Sequence, residues 1–176
     1  MTEEHTVYAF VDSQNLNLGV SNDIVIGKHN VYSGWKLDFR RFFVYLKDKY
    51  RVDKVYLFIG KKPGNQSLYD FLEEVGYKMI YKPTISQKDG VTKGNVDAEL
   101  VLHSMIELPN YDQAIIVSGD GDFLCLIEHL DGLGKLKALL VPNRHRYSSL
   151  LRKFATKTAY ISDLKEKLEF KTKREG

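Results

Sequence analysis

Six short apolar runs, rich in β-branched and aromatic residues, recur along the chain: VYAFV (7–11), VYLFI (55–59), YKMIY (77–81), AIIV (114–117), KALLV (137–141) and AYIS (159–162). Several are continuous rather than alternating, as in strands buried on both faces. Between them the apolar positions take helical spacing. In LDFRRFFVYLKDKY, Asp38 is placed to cap a helix with the stripe Phe39, Phe42, Phe43, Leu46 and Tyr50. NQSLYDFLEEV carries Leu68, Phe71, Leu72 and Val75 and stops at Gly76. NVDAELVLHSMIEL carries Ala98, Val101, Leu102, Met105 and Leu108 and ends at Pro109. DFLCLIEHLDGLG carries Phe123, Ile127 and Leu130, and SSLLRKFA reads as a short fifth helix.

This alternation predicts an α/β fold of three layers, α/β/α, with a mostly parallel central sheet and helices on both faces. No linker or internal repeat interrupts it, so residues 1–170 read as one domain and 171–176 as a charged tail. One connection is long: about twenty residues, QNLNLGVSNDIVIGKHNVYSGW, separate FVDS from the next helix. Connections of that length tend to be functional, and a short helix or hairpin beside a pocket is expected there.

Composition adds little that conflicts with this. The 176 residues are 43% hydrophobic and 28% charged, with a net charge of +3, which permits a nucleic-acid partner without demanding one. Cys125 is the only cysteine, so no intramolecular disulfide forms, and a reducing, cytoplasmic setting is the simple expectation. Its apolar surroundings, FLCLIEHL, predict a packed core residue. The segment MTEEHTV is unlike a signal peptide, and no apolar run approaches the roughly 20 residues of a membrane span.

The candidate chemistry is acidic. In open parallel sheets, ligands bind outside the carboxyl ends of the strands, where strand order reverses. Asp12 follows the first apolar run, Asp120 and Asp122 follow the fourth, and Asp97 opens the helix that precedes the fourth. Three separate segments thus bring four carboxylates toward one edge, where Asn15 can join them. Such a cluster is costly at neutral pH without cations, and no lysine or arginine directly flanks Asp12, Asp120 or Asp122. A hard divalent ion, Mg²⁺ or Mn²⁺, would resolve the repulsion through oxygen ligands. The plain alternatives are a cap at Asp122, a helix-dipole role for Asp97, and solvated turns at Asp12 and Asp120.

FVDSQNL (10–16), KGNVDAELVLHSM (93–105) and IIVSGDGDF (115–123) resemble, in order, the three acidic motifs of the NYN domain family. These are LabA-like, PIN-like ribonucleases, and the likeness runs from about Val7 to Leu164. VPNRHRYSSLLRKFATKTAYISDL also looks like the family's last strand–helix–strand unit. The resemblance implies a PIN-like fold and a Mg²⁺- or Mn²⁺-dependent endoribonuclease leaving 5′-phosphate and 3′-hydroxyl ends. It assigns metal ligation and catalysis to Asp12, Asp97, Asp120 and Asp122, support to Asn15 and Ser118, and a place near the scissile phosphate to Lys93. Family members often carry a further Asp six residues after the helix Asp; this chain has His103 there.

RNA is the expected partner, mainly single-stranded, with no membrane; a homodimer stays open, since PIN-like domains often pair. Basic residues fall at loops placed on the same rim: Lys61, Lys62, Lys82, Lys88, Lys93, Arg144, His145 and Arg146. Lys61, Lys62, Lys93, Arg144 and Arg146 are the candidate RNA contacts, and Tyr32, Trp35 and Tyr147 are candidate stacking platforms. A haloacid-dehalogenase-type phosphatase would need a second Asp where Gln14 stands. The rival from another class is a catalytically weak RNA-binding or scaffold module that retains the same pocket.

Overall fold

The computed structural model describes residues 3–86, 92–93 and 95–173. Its centre is a six-stranded sheet ordered β10-β9-β8-β1-β4-β5. The strands are β1 (Val7–Asp12), β4 (Lys54–Lys61), β5 (Lys78–Pro83), β8 (Gln113–Val117), β9 (Leu136–Val141) and β10 (Thr158–Tyr160). All five pairings are parallel. The six runs read from the pattern are these six strands, and β1 is buried at every residue.

Period-two geometry divides the strand side chains between two cores. Val7, Ala9 and Val11 face α1 (Ser13–Ser21), α2 (Phe39–Tyr50) and α3 (Gln66–Val75). Tyr8 and Phe10 face α4 (Asp97–Ile106), α5 (Leu124–Gly132) and a 3₁₀ segment at Ser149–Lys157. Asp12 continues the second parity. Strand order runs one way from β1 through β4 to β5 and the other way from β8 through β9 to β10. The reversal therefore lies between β1 and β8, where a parallel sheet opens its ligand crevice.

The long first connection holds both structures expected of it: α1, and an antiparallel hairpin of β2 (Ile24–Ile26) and β3 (His29–Tyr32). A second small pair, β6 (Ile85–Ser86) with β7 (Thr92–Lys93), lies before α4. Asp38 caps α2 as expected, accepting from the amides of Arg40 and Arg41, and Gly76 ends α3 at φ +123°.

Four expectations are corrected. The α4 stripe is rotated: Val96, Leu100 and Ser104 are buried, whereas Leu102 and Met105 are exposed. The cause is Ser104, whose hydroxyl donates to the Leu100 carbonyl and so enters the core without an unmet polar group. On α3, Tyr69 and Leu72 are inward while Leu68 and Phe71 stay exposed; the Tyr69 hydroxyl is held by the backbone of Gly60 and Lys62. Cys125 is exposed, because α5 turns Leu126, Ile127 and Leu130 inward instead. The fifth helix is 3₁₀ rather than α, and its buried Leu151 and Phe154 carry the three-residue spacing of that form.

Candidate metal centre

The acidic site is assembled from hydrogen bonds between turns. At the end of β1, Asp12 caps α1, its Oδ1 accepting from the Asn15 amide at 3.2 Å. Its Oδ2 accepts from the Ser118 hydroxyl at 3.4 Å, and the Ser118 oxygen accepts from the Asp120 amide at 3.2 Å. Asn15 Oδ1 accepts from the Gly119 amide at 2.8 Å. The first turn of α1 and the turn after β8 are thus tied across the point where strand order reverses.

The GDGD turn then folds on itself. Asp120 Oδ1 accepts from the Asp122 amide at 2.9 Å, so Asp120 is the cap and Asp122 is left exposed. Gly121 is required by a close approach: a Cβ there would lie 2.4 Å from Ser148 Oγ and 3.0 Å from Ser148 Cβ. On the third side, Asn95 Oδ1 accepts from the Asp97 amide at 2.7 Å and its Nδ2 donates to Asp97 Oδ2 at 3.0 Å. Lys82 donates to the Asn95 carbonyl at 2.5 Å and pairs with Glu99 at 3.4 Å.

Asp97, Asp120 and Asp122 each offer a carboxylate oxygen, all within 4.8 Å of one another. Two oxygens bound to one Mg²⁺-sized ion stand at most about 4.2 Å apart, so small side-chain rotations suffice. An all-oxygen donor set suits a hard cation, and the triad fits a divalent metal. Asp12 lies in the same cleft but is not one of the three. It is 5% exposed, and its pKa is raised to about 6 by burial first and then by Asp97 and Asp120. Asp97 is raised by burial and by Asp120 and Asp122, against the lowering effect of Asn95 and Lys82. Both shifts come chiefly from burial, with the neighbouring carboxylates adding to it.

The cleft measures about 970 Å³ and is lined by Asn95 to Asp97 at the start of α4 and, after β9, by Pro142, Asn143 and His145 to Ser148. The chain matches the NYN domain family over residues 6–162. It belongs to that family. The NYN fold here is similar to a solved structure from Vibrio parahaemolyticus, a protein of unknown function, at 23% identity and a TM-score of 0.70. The match covers 97% of this chain and 99% of that one, and at this identity it speaks for the fold alone. No curated protein matches significantly. Membership of the NYN family and the carboxylate triad together support a nuclease-type active site.

The basic candidates divide. His145, Arg146 and Tyr147 line the acidic cleft. Arg144 instead makes a bidentate pair with Asp163 and stacks 4.3 Å over Tyr160. Lys61 lies over Tyr81 at 5.1 Å, and Lys62 lines a separate pocket. Trp35 is 5% exposed within the α1–α2 core and presents no free face to a base, which corrects its reading as a stacking platform. Tyr32 is half-buried, its hydroxyl donating to the Val20 carbonyl. His103 packs on Phe58 at 5.8 Å, so the place of the family's further Asp is held by an aromatic contact. All of Lys88 and the side chain of Lys93 lie outside the described residues.

Two contributors escaped the pattern reading. Asn95 fixes Asp97, and N-x-D opening a helix is a legible Asx-type signal. Asn143, buried in the cleft lining, donates to the Gly19 carbonyl and accepts from the His145 amide; nothing local marks it.

Proposed function

We propose that the protein is a divalent-metal-dependent endoribonuclease, acting through Mg²⁺ or Mn²⁺ on single-stranded or loop RNA. The observation that carries this reading is the convergence of Asp97, Asp120 and Asp122 at the strand-order reversal of an NYN domain. When bound, the ion would lower the pKa of a water and stabilise charge on the phosphate.

The remaining work falls to the chain. Asp97, Asp120 and Asp122 would hold the ion, and Asn95 and the Asp122 amide keep two of those carboxylates oriented. Asp12 binds α1 to the turn after β8 through Asn15 and Ser118, which fixes the width of the site. Arg146 and His145, which line the same cleft, would hold neighbouring phosphates of a polyanion. In hydrolysis, water adds to phosphorus and the bond to the 3′-oxygen breaks. The 5′-phosphate stays on one product, and the 3′-oxygen leaves protonated on the other.

The test is cleavage of a mixed single-stranded RNA with Mn²⁺, Mg²⁺ or EDTA, beside Asp120→Asn from a parallel preparation. Metal-dependent cleavage lost in the variant supports the reading. Equal activity in both proteins assigns the cleavage to a contaminant. No activity in either, with RNA still bound, favours the binding-module alternative.

A further inference from the structure

A second pocket lies on the other side of α1 from the acidic cleft. It measures about 380 Å³, within the range of sites that enclose small organic groups. The apolar lining that solvent reaches is Phe39 of α2 and Ile59 of β4, both half-buried, and exposed Leu68 of α3, with Leu57, Tyr69 and Leu72 buried behind them. One wall is the first two turns of α1, where Ser13, Gln14 and Asn17 present a hydroxyl and two amides. Lys36 and Lys62, both exposed, stand at its edge.

Three features fix the chemistry of an occupant. An apolar body suits the Phe39, Ile59 and Leu68 lining, which buried Tyr69 backs, its hydroxyl donating to the Gly60 carbonyl and accepting from the Lys62 amide. Polar edge groups on that body suit the amides of α1, which can both donate and accept. Negative charge at the mouth suits the two lysines. A nucleotide has all three. The pocket neighbours the acidic cleft: Gln14 lines both, and Ser13 follows Asp12 directly.

We propose that this pocket receives one unpaired nucleotide of the RNA strand, its base on the apolar lining and a phosphate at Lys36 and Lys62. A neighbouring phosphate then reaches the carboxylates past α1. The proposal rests on the ribonuclease reading, and it makes the α1–α3 pocket the source of any preference for the base beside the cut. It also predicts a strand rather than a duplex as the substrate, since a paired base cannot enter.

Two variants narrow the pocket from opposite walls at exposed positions: Leu68→Trp from α3 and Asn17→Trp from α1. The probe is a short single-stranded RNA carrying 2-aminopurine, titrated in EDTA so that binding is read without cleavage. Wild type is expected to change the probe's fluorescence, and both folded variants to weaken its binding roughly fivefold to a hundredfold, the range for losing one seated base. Free mononucleotide competing as well as RNA would assign the pocket to a small ligand and overturn the strand proposal. Fluorescence and affinity unchanged in both variants, or absent in wild type, would also overturn it. Cleavage-site profiles in Mn²⁺ separate this result from the parent reading. Wild type and variants cutting at the same bases would refute the subsite and leave the ribonuclease standing. Probe seating without cleavage in wild type would keep the pocket and remove the ribonuclease.

Discussion

The two sides of the strand rim are built differently. Between β1 and β8, carboxylates cluster and their backbone and side-chain partners hold them together despite repulsion. At the ends of β4 and β5, the cations are dispersed and absorbed locally: Lys61 by Tyr81, Lys82 by Asn95 and Glu99. Carboxylates are concentrated where the sheet opens, and the lysines beyond it lean on local partners, Lys82 close enough to Asp97 to offset part of its raised pKa.

The sharpest way to break the comparison is to remove charge from the clustered side. Asp122→Asn is expected to lower metal-dependent cleavage by more than about a hundredfold, since even outer partners of a metal site cost ten- to hundredfold. As Asp122 is exposed, its thermal unfolding should stay close to wild type. A single-turnover assay across Mn²⁺ concentrations checks it, and full activity at saturating Mn²⁺ would show that the pair Asp97 and Asp120 suffices.

Asp12 offers a test in stability rather than rate. Its pKa is about 6 in the folded protein against the ordinary carboxyl value of 3.8. The native state therefore keeps a proton that the unfolded state has lost, and stability falls as pH rises through this window. The loss from this group reaches about 3 kcal/mol above the window. Asp12→Asn, which keeps the acceptor for the Asn15 amide, should flatten that part of the metal-free profile and leave the protein more stable at neutral pH. Urea unfolding from pH 4 to 7 measures it; identical slopes in both proteins would contradict the assignment. Added Mn²⁺ should recover stability in wild type, because a ligand that binds the native state stabilises it by mass action.

A smaller effect is expected at Gly121. A methyl group there meets Ser148 at 2.4 Å, so Gly121→Ala should cost about 1–3 kcal/mol and push the GDGD turn away from the 142–148 wall. Calorimetry reads the cost, and a loss of Mn²⁺ affinity would show that the wall sets the position of the carboxylates. Smallest is the contrast between two arginines. Arg146→Ala should weaken RNA binding several-fold and reduce its salt dependence, whereas Arg144→Ala, already paired with Asp163, should change either by less than about twofold. Fluorescence titrations at two salt concentrations separate them.

Much of the site was legible before any coordinates. A strand followed by Asp can be read from hydrophobic runs, and the strand-end rule then places Asp12, Asp120 and Asp122 on one rim. Asp97 follows from its place at the start of a helix that begins there. The same local reading failed where a side chain's partner is distant or unusual. Trp35 looked like a free aromatic in a loop, yet the long connection folds back and buries it. The α4 stripe read from Leu102 and Met105 missed Ser104, which is buried because its own helix satisfies its hydroxyl. Cys125 looked buried because its neighbours are apolar, yet helical phase turns it to solvent.

The sequence by itself determined the β/α alternation, the six strands, and which residues could be acidic at the rim, because periodicity and strand ends are local properties of the chain. Only the tertiary structure decided which carboxylates meet. Asp97, Asp120 and Asp122 converge, while Asp12 is drawn into the cap of α1 and the Ser118 hydrogen bond. It also decided that Arg144 is spent on Asp163 and that a pocket opens beneath α1. Those outcomes depend on strand order and helix phase, which set distances between residues far apart in sequence and leave no mark in any one stretch of it.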